Sequence, residues 1–348
     1  MKRGAILVAA MALAAVFAVA SAHAAQPHHA VLRQDAPFAS RSTSSGGGLR
    51  TVYGQPDLQG FWTNASLTHL ERPPATPLTL ATPAEEAAYE ARTAQAQARG
   101  ESGGLGQGTS EWHPAFRMAR IAGRLRTSFI VSPADGQLPY RPEALARFTA
   151  LDDAAQLARA DGPETRTLSD RCLIGGFGSS SPPMIPPAVA AVKQIVQTRT
   201  EVAILSEMNH DVRIVRLGTP GHPARHPPAN VRLWMGDSIG HWEGASLVVE
   251  TTNFHEQEQL HGFLLKSPDA RVTERFTRVA KGQIVYEVEV DDPATYAVPW
   301  RAQIPFNADP GPIYEFACHE GNYGLTDILA GARRADARAA AGAGASRP

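Results

Sequence analysis

Charge of one sign, cysteine and long apolar runs are all scarce in this chain of 348 residues. Its 33 basic and 34 acidic residues leave a formal net charge of −1, and no basic stripe breaks the balance, so no nucleic-acid partner is expected. Past the first two dozen residues no stretch approaches the ~20 consecutive apolar residues of a spanning helix, so no membrane span is expected. Familiar catalytic signatures are missing too. There is no Gly-x-Ser-x-Gly elbow, no dinucleotide fingerprint, no haem-attachment Cys pair and no His-Glu-x-x-His, which argues against serine esterases, nicotinamide dehydrogenases, c-type cytochromes and helical zinc proteases. The Gly- and Ser-rich run at 175–187 lacks the lysine of a phosphate-binding loop and reads as a long connection packed by Phe177 and Met184. No cofactor and no metal are assigned.

What is present begins with a leader. Lys2 and Arg3 precede an uncharged apolar run, and Ala22-His23-Ala24 forms a small-x-small cleavage site, so residues 1–24 read as a secretory signal peptide. The mature chain is then expected in a periplasm or outside the cell. In that compartment the two cysteines, Cys172 and Cys318, have three readings: a structural disulfide, a nucleophilic or metal-binding Cys318 beside His319 and Glu320, or two inert thiols. Residues 25–50, rich in Ser and Gly, read as a flexible linker, and 330–348, rich in Ala, Gly and Arg, as a disordered tail.

Between these ends the pattern changes near 190. From 51 to 190 the chain reads as decorations. Thr82-Pro83-Ala84-Glu85 is a capping box that opens one helix, ended by Gly100 ahead of a second Gly-rich loop at 101–110. Pro142 opens another helix, with Leu145, Phe148, Leu151 and Leu157 on one buried face, and 126–132 reads as a strand. From 191 to 329 strand signals dominate. Ile284, Tyr286, Val288 and Val290 alternate with Gln283, Val285, Glu287 and Glu289, the period of two that gives a sheet unlike faces. About eight such strands, 313–318 included, are joined by turns too short for helical crossovers. The expectation is a mainly β fold, an antiparallel meander closing into a lipocalin-like barrel of about eight strands with N-terminal helical and loop decorations.

Five segments carry a resemblance. These are 56–64 (PDLQGFWTN), 170–173 (DRCL), 236–244 (GDSIGHWEG), 250–254 (ETTNF) and 318–323 (CHEGNY). Together they resemble a family of secreted bacterial proteins of unassigned function, over most of the chain from Tyr53 to Leu329. The family implies no activity, so no residue role is carried over from it. The likeness to lipocalin-like barrels rests on strand order alone.

The densest chemistry lies at 234–254, read as strand, tight turn and strand with Gly240 and Gly244 bracketing His241, Trp242 and Glu243. A histidine between carboxylates is a natural acid/base group, so His241 is the candidate catalyst, oriented by Glu243 or Asp237. Opposite it, His319, Glu320 and Tyr314 are the candidate acids, held rigid if Cys318 is bridged. Trp234, Trp242, Glu250, Asn253 and Glu315 are the candidate ligand contacts. The bland alternative is hairpin-tip polarity with Trp242 folded onto the sheet. His210, His222 and His226 read as an exposed loop, and Glu274, Glu287 and Glu289 as one acidic face, commonly solvent-facing. The functional expectation is a cofactor-independent lyase, hydratase, isomerase or hydrolase acting on a small, partly apolar molecule in the barrel. The alternative is a lipocalin-like binding protein without catalysis.

Overall fold

Alternation along successive strands forces one face of each inward, and nine of them curl until the first meets the last. The computed structural model describes residues 49–98, 117–158, 160–175, 179–187, 189–219, 221–260 and 264–345. The signal peptide, most of the linker (25–48), the Gly-rich loop at 101–110 and Phe177 lie outside them. In chain order the elements are β1 (Gly60–Thr63), α1 (Pro83–Ala98), β2 (Arg120–Ile121), β3 (Arg124–Leu125), β4 (Ile130–Ser132) and α2 (Pro142–Leu157). They continue with β5 (Val192–Gln197), β6 (Glu201–Ser206), β7 (Val212–Leu217), β8 (Asp237–Glu243) and β9 (Ser246–Thr252). Last come β10 (Arg271–Ala280), β11 (Gln283–Asp291), β12 (Trp300–Ala308) and α3 (Tyr323–Ala345).

The ring runs β1-β5-β6-β7-β8-β9-β10-β11-β12 and closes where Trp62 pairs with Ala308 and Thr63 with Asn307. β4 adds to the flank of β12. The expected barrel is therefore present, with nine strands in the ring. Its one parallel junction, β7 with β8, departs from a pure meander. Parallel neighbours cannot be joined by a tight turn, which is why the Pro- and His-crowded stretch 218–236 exists: it carries the chain back across the barrel. β1 comes from the stretch read as decoration, and closing the ring is its role.

The two ends of the barrel differ. One, the turn end, carries the short turns β5–β6, β8–β9 and β10–β11. The other, the loop end, carries the long connections, and the segment 179–187 is buried there. Inside, Phe276, Tyr286 and Phe306 meet with ring centroids 5.0 to 6.2 Å apart and occupy the bore, within one cluster that also holds Trp62, Ile304 and Trp300. Each such side chain contributes ~1.5–3 kcal/mol by leaving water.

Several local expectations are met and several corrected. At α1, Glu85 N–H donates to Thr82 Oγ1 at 3.2 Å and Thr82 N–H to Glu85 Oε2 at 2.9 Å, the reciprocal box the sequence shows. On α2 Phe148 is buried but Leu145 and Leu151 of the expected face are exposed, because the helix rests on the body through Ala144 and Phe148. The strand expected at 126–132 is confined to Ile130–Ser132. Residues 313–318 form no strand. They run along the outside of the barrel, with Tyr314 N–H donating to Glu207 Oε1 and Phe316 N–H to His210 Nε2, each at 3.1 Å. The expected tail from 330 is instead helical as far as Ala345, the end of a 23-residue helix that begins at Tyr323 and that its alanine content favours.

Candidate functional site

The motif hairpin turns at Gly244-Ala245, so Gly240 lies within β8. Gly240 is glycine because its backbone meets β7: a Cβ there would sit 2.8 Å from Val215 Cγ1 and 3.1 Å from Val248 O. With His241 inside a strand, parity sends it outward with Glu243, while Trp242 turns in against the core. His241 Nε2 lies 2.9 Å from Glu243 Oε1, and Arg275 holds the other carboxylate oxygen at 2.6 Å. That guanidinium first, and His241 second, hold the Glu243 carboxyl below its usual range. The pair is exposed on the outer face at the turn end.

Asp237 is not the group that orients His241. It lies four residues back along β8, about 13 Å at ~3.3 Å per residue, in a separate outer network. Arg216 binds Asp237 at 2.6 and 2.8 Å, His226 bridges Asp237 (2.7 Å) and Glu250 (3.2 Å), and Arg271 binds Glu250 at 2.7 Å. Asn253 adopts φ +59° and donates its amide to the carbonyls of Pro227, Pro228 and Val231 at 3.1 to 3.3 Å, clamping the crossover. Trp234 packs against His255, with ring centroids 3.9 Å apart and planes tilted by 35°. These candidate ligand contacts therefore hold a loop in place.

Cys172 and Cys318 form a disulfide, which rules out a free Cys318 nucleophile and fits an oxidising compartment. Among the described residues no helix is long and apolar enough to cross a membrane. The bridge lies toward the loop end, and Tyr314, Glu315, His319 and Glu320 beside it are exposed. His241 and His319 are thus at opposite ends of the barrel, and the opposed acid/base pair expected from the motifs does not assemble. The three loop histidines also part company. His226 bridges carboxylates, His210 receives Phe316 N–H and His222 is exposed. Among the described residues no group of three or more His, Cys, Asp and Glu is placed to hold a metal. Glu287 and Glu289 face outward as expected, but Glu274 faces in.

Two features lie outside the motif residues. The first is a buried polar cluster in the bore. Arg213 binds Glu274 through two bonds of 2.5 and 2.9 Å, Tyr286 donates to Glu274 at 2.9 Å, and Lys193 sits near them, fully buried. Burial opposes the Arg213 charge but Glu274 outweighs it, so its pKa rises; burial, then Glu274, pushes Tyr286 well up. The signal was parity: Lys193 is in phase with Ile195, Arg213 with Val215, and Glu274 with Phe276.

The second is an open groove of about 600 Å³ on the barrel flank, where 309–314 crosses β1, β5 and β12. Met118, Ala191, Pro305 and Pro312 contribute apolar lining, and Arg117, Asn307, Asp309 and Tyr314 polar lining. Among the described residues the Arg117 guanidinium has no bonding partner, whereas Glu207, also lining the groove, is engaged by Tyr314 and Val192 N–H groups. No sequence period marks this groove, because its walls come from five separate segments. No protein-family model, curated protein or solved structure matches the chain.

Proposed function

We propose that the protein is an exported β-barrel that binds a small, partly apolar molecule in the flank groove, without catalysis by the motif histidines. The observation that carries this is the groove itself. Its volume of about 600 Å³ falls in the range of small-ligand sites, and it joins apolar lining to a few polar groups, one a guanidinium with no bonding partner among the described residues. An acidic group on the ligand would meet Arg117 and its apolar body would lie on the prolines. The exposure of His241 and its separation from His319 weigh against catalysis by the motif histidines. The signal-like leader and the likeness to a secreted bacterial family support export to a periplasm or the exterior, as the disulfide does.

The test is fluorescence titration with 1-anilinonaphthalene-8-sulfonate, an anionic aromatic probe. The reading predicts saturable binding that Ala65→Trp, which fills the groove, weakens at least tenfold and that His241→Ala leaves unchanged. Binding insensitive to Ala65→Trp would refute it.

A further inference from the structure

Lys193 is the second residue of β5, just inside the loop end. Its side chain is wholly buried, and among the described residues its Nζ has no hydrogen-bond partner. The other buried lysine makes the contrast. Lys266 Nζ is bound by Glu258 at 2.9 Å, Ser181 Oγ at 3.0 Å and Pro182 O at 2.9 Å, so its charge has a structural task. The charged groups facing Lys193 are Arg213 from β7, Glu207 after β6 and Asp211 ahead of β7. All three are already committed: Arg213 to Glu274, Glu207 to two backbone N–H groups, and Asp211 to Gly175 N–H at 2.6 Å and to the Asn209 amide at 3.1 Å. Burial first, then the Arg213 charge, bring the amine down to about 7. A dry site beside a fixed cation is how proteins keep a lysine neutral and nucleophilic near neutral pH.

We propose that Lys193 is a carbonyl-capturing amine, which condenses with a small aldehyde or ketone entering at the loop end to form an imine inside the barrel. The nitrogen lone pair attacks the carbonyl carbon, and the C–N bond forms as the C=O π pair moves to oxygen. The two protons shed by nitrogen go to that oxygen, and water leaves as the C=N bond forms. No oxidant, reductant or metal enters the balance. Entry is controlled by the segment 179–187, whose Met184 N–H is bound by Tyr286 Oη and whose Met184 carbonyl is bound by the Asn64 amide, both at 3.1 Å. The proposal stands apart from the flank groove, which is on the outer face.

The chain has only four lysines, Lys2, Lys193, Lys266 and Lys281, so the test is clean. The folded protein is incubated with propionaldehyde and sodium cyanoborohydride across a pH series, and adducts are located by peptide mass spectrometry. Lys193 should be alkylated at neutral pH with a rate that levels off above about 7, while exposed Lys281 keeps rising toward ~10 as an ordinary lysine does. Asn64→Ala should speed the Lys193 adduct several-fold with the same pH midpoint, and Lys193→Arg should abolish it. Lys266 staying unmodified reports an intact fold. An adduct on Lys281 but none on Lys193, in either wild type or Asn64→Ala, would overturn the proposal. So would labelling of Lys193 only together with Lys266, because unfolding would then be the cause.

Discussion

At the scale of single residues, an unpaired buried amine makes stability depend on pH with a definite sign. In the unfolded chain Lys193 holds its proton up to ~10.4; in the fold it holds it only up to about 7. Between those values the unfolded state binds the extra proton, so stability rises with pH, by roughly 4–5 kcal/mol over the whole window, and below the folded value the penalty is present in full. Urea unfolding of wild type and Lys193→Met should therefore show the variant's advantage shrinking steadily from about pH 7 to pH 10; a constant difference would mean the amine is not perturbed. The residue types of this cluster were all visible in the sequence. What hid Lys193, Arg213 and Glu274 was the assumption that charges on strands face water, although each shares parity with buried neighbours. His241 and Glu243 show the converse: residues that look catalytic as a string lie on the outer face once Gly240 is placed within the strand and not at the turn.

At the scale of elements, the parallel junction is the place where sequence and structure fit most tightly. Gly240 lets β8 approach β7 and β9, and an added methyl would press on Val215 and on the Val248 carbonyl. Gly240→Ala should destabilise by about 1–3 kcal/mol through overpacking. If the clash is with Val215, the double variant with Val215→Ala should be less destabilised than the sum of the two single changes, as measured by a urea double-mutant cycle; strict additivity would place the strain elsewhere. Hairpin elements such as β10–β11 were legible because alternation and the Lys281-Gly282 turn agree. The stretch 313–318 was not, because strand propensity says nothing about which partners a segment meets. Its N–H groups go instead to Glu207 and His210 side chains, partners that only the closed ring brings near.

At the scale of the whole molecule, the segment after β12 returns from the turn end to the loop end, forms one wall of the groove and is stapled by Cys172–Cys318 across a sequence separation of 146. A loop that long is worth up to ~5 kcal/mol in the chain-entropy model. The Cys172→Ser, Cys318→Ser variant should lose a sizeable part of that in urea and bind the anilinonaphthalene probe more weakly; full retention of both would detach the staple from the groove. The barrel was foreseeable from strand count and spacing, and its closure by β1 was not, since four residues at 60–63 carry too little pattern to reveal their two partners. The most direct measurement follows methionine methyl groups by NMR during titration with that probe, because Met118 lines the groove while Met184 lies in the bore. A saturable shift of the Met118 methyl with Met184 unmoved is the predicted result; a shift of Met184 with Met118 unmoved would contradict the account.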